Sequence, residues 1–248
     1  MPHGKFITFI DSDDSIEDDY IEKMMDLAVK NDADMVMCSI KEYDVVNEET
    51  IKLMTHENMS LENGIKDEIL NLKGYAWGKI YKRELWEKVR FPIGYLFEDA
   101  IIRTIIMRLC KSFEFLDEPL YIYTVRPDSL SRKTKKKRRS EKYLEQYFLQ
   151  EKLLKLSENI GLPNDGILYK IALYELGTCL WLRTRYLDEK VKKDVFVLSC
   201  DLIKNYTMKN EKLTFEYRYL QKAFYRRDYV LWKLCGVYMM LGVKNGNG

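Results

Sequence analysis

Two aspartates stand two positions apart at Asp11 and Asp13, with Asp14 beside them, where an apolar run gives way to polar chain. Carboxylates so placed are hard oxygen ligands of the kind Mg²⁺ and Mn²⁺ take, and they leave coordination positions open for substrate phosphates. Two other readings fit the same residues. One is an exposed acidic turn that caps the next helix. The other is a calcium loop with Asp11, Asp13, Ser15, Glu17, Asp19 and Glu22 at the ligand positions. That loop fails at Ile16, where the sharp turn needs glycine, and at KFITFI upstream, which has the composition of a strand rather than an entering helix. A second acidic pair, Glu98-Asp99, opens an apolar helical stretch. A carboxylate there can take a proton from a hydroxyl or simply cap the helix.

The elements that must position these groups follow from periodicity. Lys5 to Ile10 (KFITFI) is apolar on both faces, as a buried parallel strand is, so the acidic cluster falls at a strand's carboxyl end. Asp18 to Asn31 has helical spacing at Ile21, Met24, Met25 and Ala28, and Asp34 to Ile40, continuing to Val46, reads as a second strand. Asn47 to Glu57 is polar and reads as loop, Leu61 to Leu72 as helix, Tyr75 to Tyr81 as strand and Arg83 to Val89 as a short helix. Ile101, Ile102, Ile105, Ile106 and Leu109 form a helical stripe after Glu98-Asp99. Ser112 to Leu116 and Leu120 to Val125 read as two strands about an Asp117-Glu118-Pro119 turn. Then comes RKTKKKRR (132–139), a charge run without apolar periodicity, and helices at 141–159, 167–186, 190–206 and 217–241. The expected architecture is α/β over residues 1–135, followed by an all-α domain over 136–248.

Bulk properties bound the function. An apolar fraction of 46% and a charged fraction of 32% describe a globular chain, and 248 residues suffice for a sizeable core. A net charge of +2 provides no field for a general nucleic-acid binder, and no groove-reading motif accompanies the basic run, so nucleic acid is not expected as a partner. Five scattered cysteines without CxxC spacing read as reduced core thiols. No apolar run reaches the ~18 residues of a spanning helix. No leader precedes residue 1, so a cytoplasmic location is expected. The basic run, and Tyr229 to Val243 behind Arg226 and Arg227, would suit peripheral contact with an anionic membrane surface.

The segment GKFITFIDSDDSIEDDYIEKM resembles the central part of bacterial family 2 glycosyltransferases, where the same stretch carries a metal-binding DxD. WGKIYKREL (77–85), FEDAIIR (97–103) and YxxRPDSLSR (123–132) follow in the order and spacing of that family, so the resemblance covers about residues 4 to 132. It implies an incomplete GT-A-like (Rossmann-like) mixed sheet with Asp11 and Asp13 holding Mn²⁺ or Mg²⁺ against a nucleotide-sugar donor. It implies Asp99, with Glu98 beside it, as the base of an inverting transfer to a cell-surface saccharide or lipid-linked acceptor. Asp14, Trp77, Lys79, Arg126 and Ser129 fall among its substrate-binding positions. Trp77 is equally a core tryptophan, and Arg126, Ser129 and Ser131 are equally linker residues. The family's N-terminal nucleotide-binding strand-helix units have no counterpart in these residues. A complementing N-terminal half or a homo-oligomer is therefore an expected partner, and an inactive relic serving as an interaction module is the alternative function.

Overall fold

The computed structural model describes residues 4–54, 60–61, 74–126, 141–208 and 211–245, and the chain forms two compact units. One comprises Met1–Phe91 and Ile105–Lys133, the other Pro92–Thr104 and Thr134–Gly248.

The first unit holds a seven-stranded mixed sheet built from β1 (Phe6–Thr8), β2 (Ser15–Ile16), β3 (Met35–Asp44), β4 (Glu49–Met54), β5 (Ser60–Leu61), β6 (Lys79–Lys82) and β7 (Phe113–Val125). The spatial order is β1-β6-β3-β7-β2, with β4 also on β3 and β5 also on β7. β3 is the axis, parallel to β7 and antiparallel to β6 and β4. Its leading residues Met35 to Ile40 are all buried, as a strand covered on both faces requires. One cover is α1 (Tyr20–Lys30), which buries Tyr20, Met24 and Ala28 at successive four-residue steps against Val36, Cys38, Ile40 and Tyr121.

Several sequence expectations are corrected here. The KFITFI strand shrinks to three half-buried residues and runs antiparallel to β6. Its apolarity reports burial of Phe6 against the α1-side core and of Phe9 among Tyr81, Trp86 and Phe91, not the direction of its partner. Residues 47–57 are not all loop, because β4 folds back on β3 through a turn in which Glu48 has φ 55°. Its side chains are mostly exposed, so polar composition hid a strand. The strand expected from Tyr75 starts only at Lys79, and the helix expected from Arg83 is a single 3₁₀ turn to Trp86. The two strands around Pro119 are one strand, β7, which tolerates the proline at a register irregularity. The helix expected over 61–72 lies outside the described residues beyond Leu61, which belongs to β5. The isoleucine stripe is a π-helical segment, Ile102–Ile106, running into the short α2 (Met107–Leu109), and Ile101, Ile102, Ile105 and Ile106 are all buried.

Among the described residues the regular elements of the second unit are all helical. After a 3₁₀ turn at Glu141–Leu144 come α3 (Glu145–Asn159), α4 (Gly166–Leu173), a π-helical segment (Tyr174–Cys179), α5 (Leu180–Thr184), α6 (Glu189–Lys204), α7 (Phe215–Arg226) and α8 (Tyr229–Asn245). Aspartates start α4 and α6 by accepting backbone N–H groups, Asp165 from Leu168 at 2.9 Å and Asp188 from Lys190 at 2.8 Å. Its core packs Leu154, Leu168, Leu173, Leu176, Phe196 and Trp232. The single helix expected over 217–241 is two, broken where Arg227 adopts a left-handed φ of 54° and Asp228 accepts the Leu231 N–H at 2.9 Å. Among the described residues no helix is long and apolar enough to cross a membrane. Ser129, Ser131 and the basic run 132–139 lie outside the described residues.

Candidate functional site

The acidic loop leaves β1 and closes on itself, the Asp14 N–H donating to the Asp11 carbonyl at 3.1 Å. Tyr121 of β7 braces it from the sheet. Its Oη accepts the Asp11 N–H at 3.2 Å and donates to Asp14 Oδ2 at 2.7 Å, while the Thr124 N–H donates to Asp14 Oδ1 at 2.8 Å. Both oxygens of the half-buried Asp14 are thus held by β7, whereas Asp11 and Asp13 are exposed. Carboxylate oxygens of all three lie within 4.8 Å of one another. Burial raises the Asp14 pKa and the Asp13 charge adds to it, against the Thr124 and Tyr121 hydrogen bonds and the Arg126 charge. A cation between the three carboxylates would relieve that crowding, and an all-oxygen donor set is the one Mg²⁺ or Mn²⁺ takes, so these residues fit such an ion. They do not make a calcium loop. Glu17 and Asp19 are ion-paired with Lys41 at 2.8 Å and Lys23 at 2.9 Å, and Ser15 belongs to β2.

Trp77 adjoins this brace. Its ring stacks on Tyr121 at 4.8 Å and 17°, on Tyr123 at 5.3 Å and 11°, and on Tyr75 at 3.7 Å and 4°. Lys79 is fully buried behind the stack. Its Nζ donates to the carbonyls of Tyr75 at 2.7 Å and Trp77 at 3.4 Å and lies 4.5 Å from the Tyr75 ring centre. The intervening Gly78 has φ 66°, a conformation that side chains resist, and its carbonyl accepts the Cys38 N–H at 3.1 Å. The sheet therefore fixes the aromatic stack, and the stack backs the tyrosine that holds the loop. Arg126 follows β7 and is exposed.

Glu98 and Asp99 belong to the second unit. They form a turn into the helical stretch, with the Ile102 N–H donating to the Asp99 carbonyl at 2.9 Å. Glu98 is exposed and Asp99 half-buried. One turn on, Arg103 Nη1 meets Glu175 Oε1 at 3.1 Å, and Gln146 Nε2 donates to Glu175 Oε2 at 2.9 Å. The Arg183 guanidinium lies 3.3 Å from the Phe97 ring centre. Burial raises the Asp99 pKa to about 6, with Glu175 and Glu98 adding and Arg183 and Arg103 opposing. A carboxyl poised there exchanges its proton near neutral pH.

Residues 3–97 match the family model described as glycosyl transferase family 2. The matched segment ends one residue before Glu98. Two curated relatives are 33% identical to the chain. Glycosyltransferase GlyA of Streptococcus pneumoniae serotype 4 aligns over 144 residues, 52% of this chain and 20% of the relative. Putative glycosyltransferase EpsH of Bacillus subtilis (strain 168) aligns over 146 residues, 54% of this chain and 41% of the relative. The chain therefore spans less than half the length of these relatives. Among solved structures, S. aureus TarS 1-349 superposes with a TM-score of 0.67 at 16% identity, over 97% of this chain and 68% of that one. The same protein in complex with UDP-GlcNAc gives a TM-score of 0.51 at 15% identity, over 97% of this chain and 69% of that one. At such identities the likeness is one of fold, and the sheet is GT-A-like.

Sequence reasoning missed Tyr121, Glu175 and Arg183. Tyr121 carried no signal, because only the fold brings it to a loop 110 residues away. Glu175 could have been found as a lone acid within the apolar run 167–182. It sits in a π-helical segment, and such segments recur at functional sites.

Proposed function

We propose that this chain is a metal-dependent glycosyltransferase, or the metal-binding and acceptor-side part of one, moving a sugar with inversion from a nucleotide-sugar donor to a saccharide or lipid-linked acceptor. The observation that carries the proposal is the convergence of Asp11, Asp13 and Asp14 at the end of β1, inside a family 2 segment. Asp11 and Asp13 hold Mn²⁺ or Mg²⁺, and Asp14, tied to β7, is a positioning residue for them. When bound, the ion offsets negative charge on the departing nucleoside diphosphate. TarS, whose fold this chain shares, has been crystallised with UDP and UDP-GlcNAc, which supports a uridine diphosphate sugar as the donor class.

Asp99 is the base. It takes the proton of the acceptor hydroxyl as that oxygen bonds to the anomeric carbon and the bond to the diphosphate breaks. Glu98 raises the proton affinity of Asp99 without taking the proton itself. Arg126 and Ser129 serve the diphosphate with charge and a hydroxyl. Trp77 and Lys79 act from behind, Lys79 from full burial, by holding the aromatic stack under Tyr121. The work is assigned to the cytoplasmic side of the membrane.

Calorimetric titration of the chain with MnCl₂ and UDP tests this. Binding of UDP that requires Mn²⁺, is lost in Asp13→Asn and survives in Asp99→Asn is the expected result. Loss of UDP binding in Asp99→Asn would remove the base assignment. Wild-type chain that takes neither Mn²⁺ nor UDP would leave the interaction module as the better account.

A further inference from the structure

The second unit carries an exposed face that the transferase reading does not use. On α7 the exposed side chains are Phe215, Arg218, Tyr219, Lys222, Tyr225 and Arg226, which recur at helical spacing and alternate aromatic with cationic. No acid is among them; Glu216, the one acid of α7, is only half exposed. The neighbouring α8 exposes Val230, Leu234, Val237 and Tyr238, again at helical spacing and here wholly apolar, with Leu234 60% and Tyr238 56% accessible. Between the two helices runs a groove of about 300 Å³, walled by Phe215 and Tyr219 on one side and Leu234 and Tyr238 on the other, with Glu216 as its single charged lining residue. Large apolar side chains left in water across adjoining helices mark a surface that meets something.

We propose that the α7–α8 hairpin docks on an anionic lipid surface, with the aromatic and aliphatic side chains at the acyl boundary and Arg218, Lys222 and Arg226 among the headgroups. Tyrosine and phenylalanine beside long cationic chains suit an interface that is apolar on one side and wet and negative on the other. The charge separates this occupant from the others. A second copy apposed through the same face would bring like charges together with no exposed acid on α7 to answer them. A nucleic acid would meet the cations but leave the apolar stripe of α8 without a partner. The helices are shaped for the interface rather than for crossing it, as no described helix meets the requirement for a span. This docking stands whether or not the chain transfers sugar.

Co-sedimentation of the full chain with vesicles tests it, using phosphatidylcholine alone and phosphatidylcholine mixed equally with phosphatidylglycerol. The expected result is binding to the mixed vesicles that falls with added salt, and little to the neutral ones. Arg218→Glu/Lys222→Glu/Arg226→Glu should weaken partitioning by about a hundredfold or more, since each cation near such a surface contributes roughly a factor of five. Leu234→Ser/Tyr238→Ser should weaken it by about tenfold or more. All five positions are exposed, and unchanged circular dichroism and melting will show that the variants fold. Anionic binding that the triple variant leaves intact would assign the attraction to the basic run 132–139 and overturn the proposal. So would tighter binding to polyuridylate than to mixed vesicles, or a dimer whose dissociation tracks the Leu234 and Tyr238 changes.

Discussion

The loop at Asp11–Asp14 and the turn at Glu98–Asp99 use the same side chains under opposite conditions. In the loop two carboxylates face water and a third is pinned by a phenol and a backbone N–H, so the group presents oxygens in a fixed array. In the turn one carboxyl is withdrawn from water among two other acids and two arginines, so its proton affinity, and not its oxygen array, is what the surroundings set. Environment assigns the chemistry: exposed, converging aspartates suit a divalent ion, and a half-buried aspartate whose pKa is raised to about 6 suits proton transfer.

The comparison breaks most sharply at Asp99. With a donor and acceptor that support turnover, Asp99→Asn should lower kcat by about a hundredfold to ten-thousandfold while Mn²⁺ affinity stays within about twofold, because only the base is lost. Equal losses in both, by kinetics and calorimetry, would merge what is separated here. Tyr121→Phe should act on the other region, weakening Mn²⁺ about tenfold by releasing Asp14 and the Asp11 N–H, with little change in the pH profile. A stability effect comes next. The folded Asp99 holds its proton up to about pH 6, above its unfolded range, so it disfavours the folded state increasingly as pH rises from about 4 to 6 and fully above that. Asp99→Asn should therefore stabilise the chain by roughly 1–2 kcal/mol at pH 7 and hardly at all at pH 4, in urea melts at the two pH values. The smallest effect belongs to Glu175→Gln. It removes a negative neighbour and frees Arg103 to oppose protonation, so the acid limb of the activity profile should move to lower pH. A move to higher pH would show that the Arg103–Glu175 pair acts as a unit rather than as two charges.

Much of this was legible in the residues. The order strand, acidic loop, α1, β3 followed from apolar runs and spacing, and the clustering of acidic side chains after β1 was visible in the DSDD run. The helical character of residues 141–245 was equally plain. Hidden were features that depend on partners far away in the chain. β4 has exposed Glu49, Thr50, Ile51 and Leu53, a composition that reads as loop until β3 pairs with it. The break at Arg227 lacks the glycine that normally announces a left-handed cap. The antiparallel sense of β1 is set by β6, some seventy residues on. Packing of Pro92–Thr104 with the helical unit has no compositional mark at all.

The irregularity in β7 has a consequence for what lengths this chain tolerates. Cys38 faces Leu116 and Ile40 faces Tyr121, so two steps along β3 are matched by five along β7. That surplus sets the phase in which the tyrosine arrives. Side chains alternate between faces at every residue, so inserting or deleting one position between Asp117 and Leu120 would rotate the phenol to the opposite side and leave the DSDD segment without its anchor. In this stretch spelling is negotiable and letter count is not.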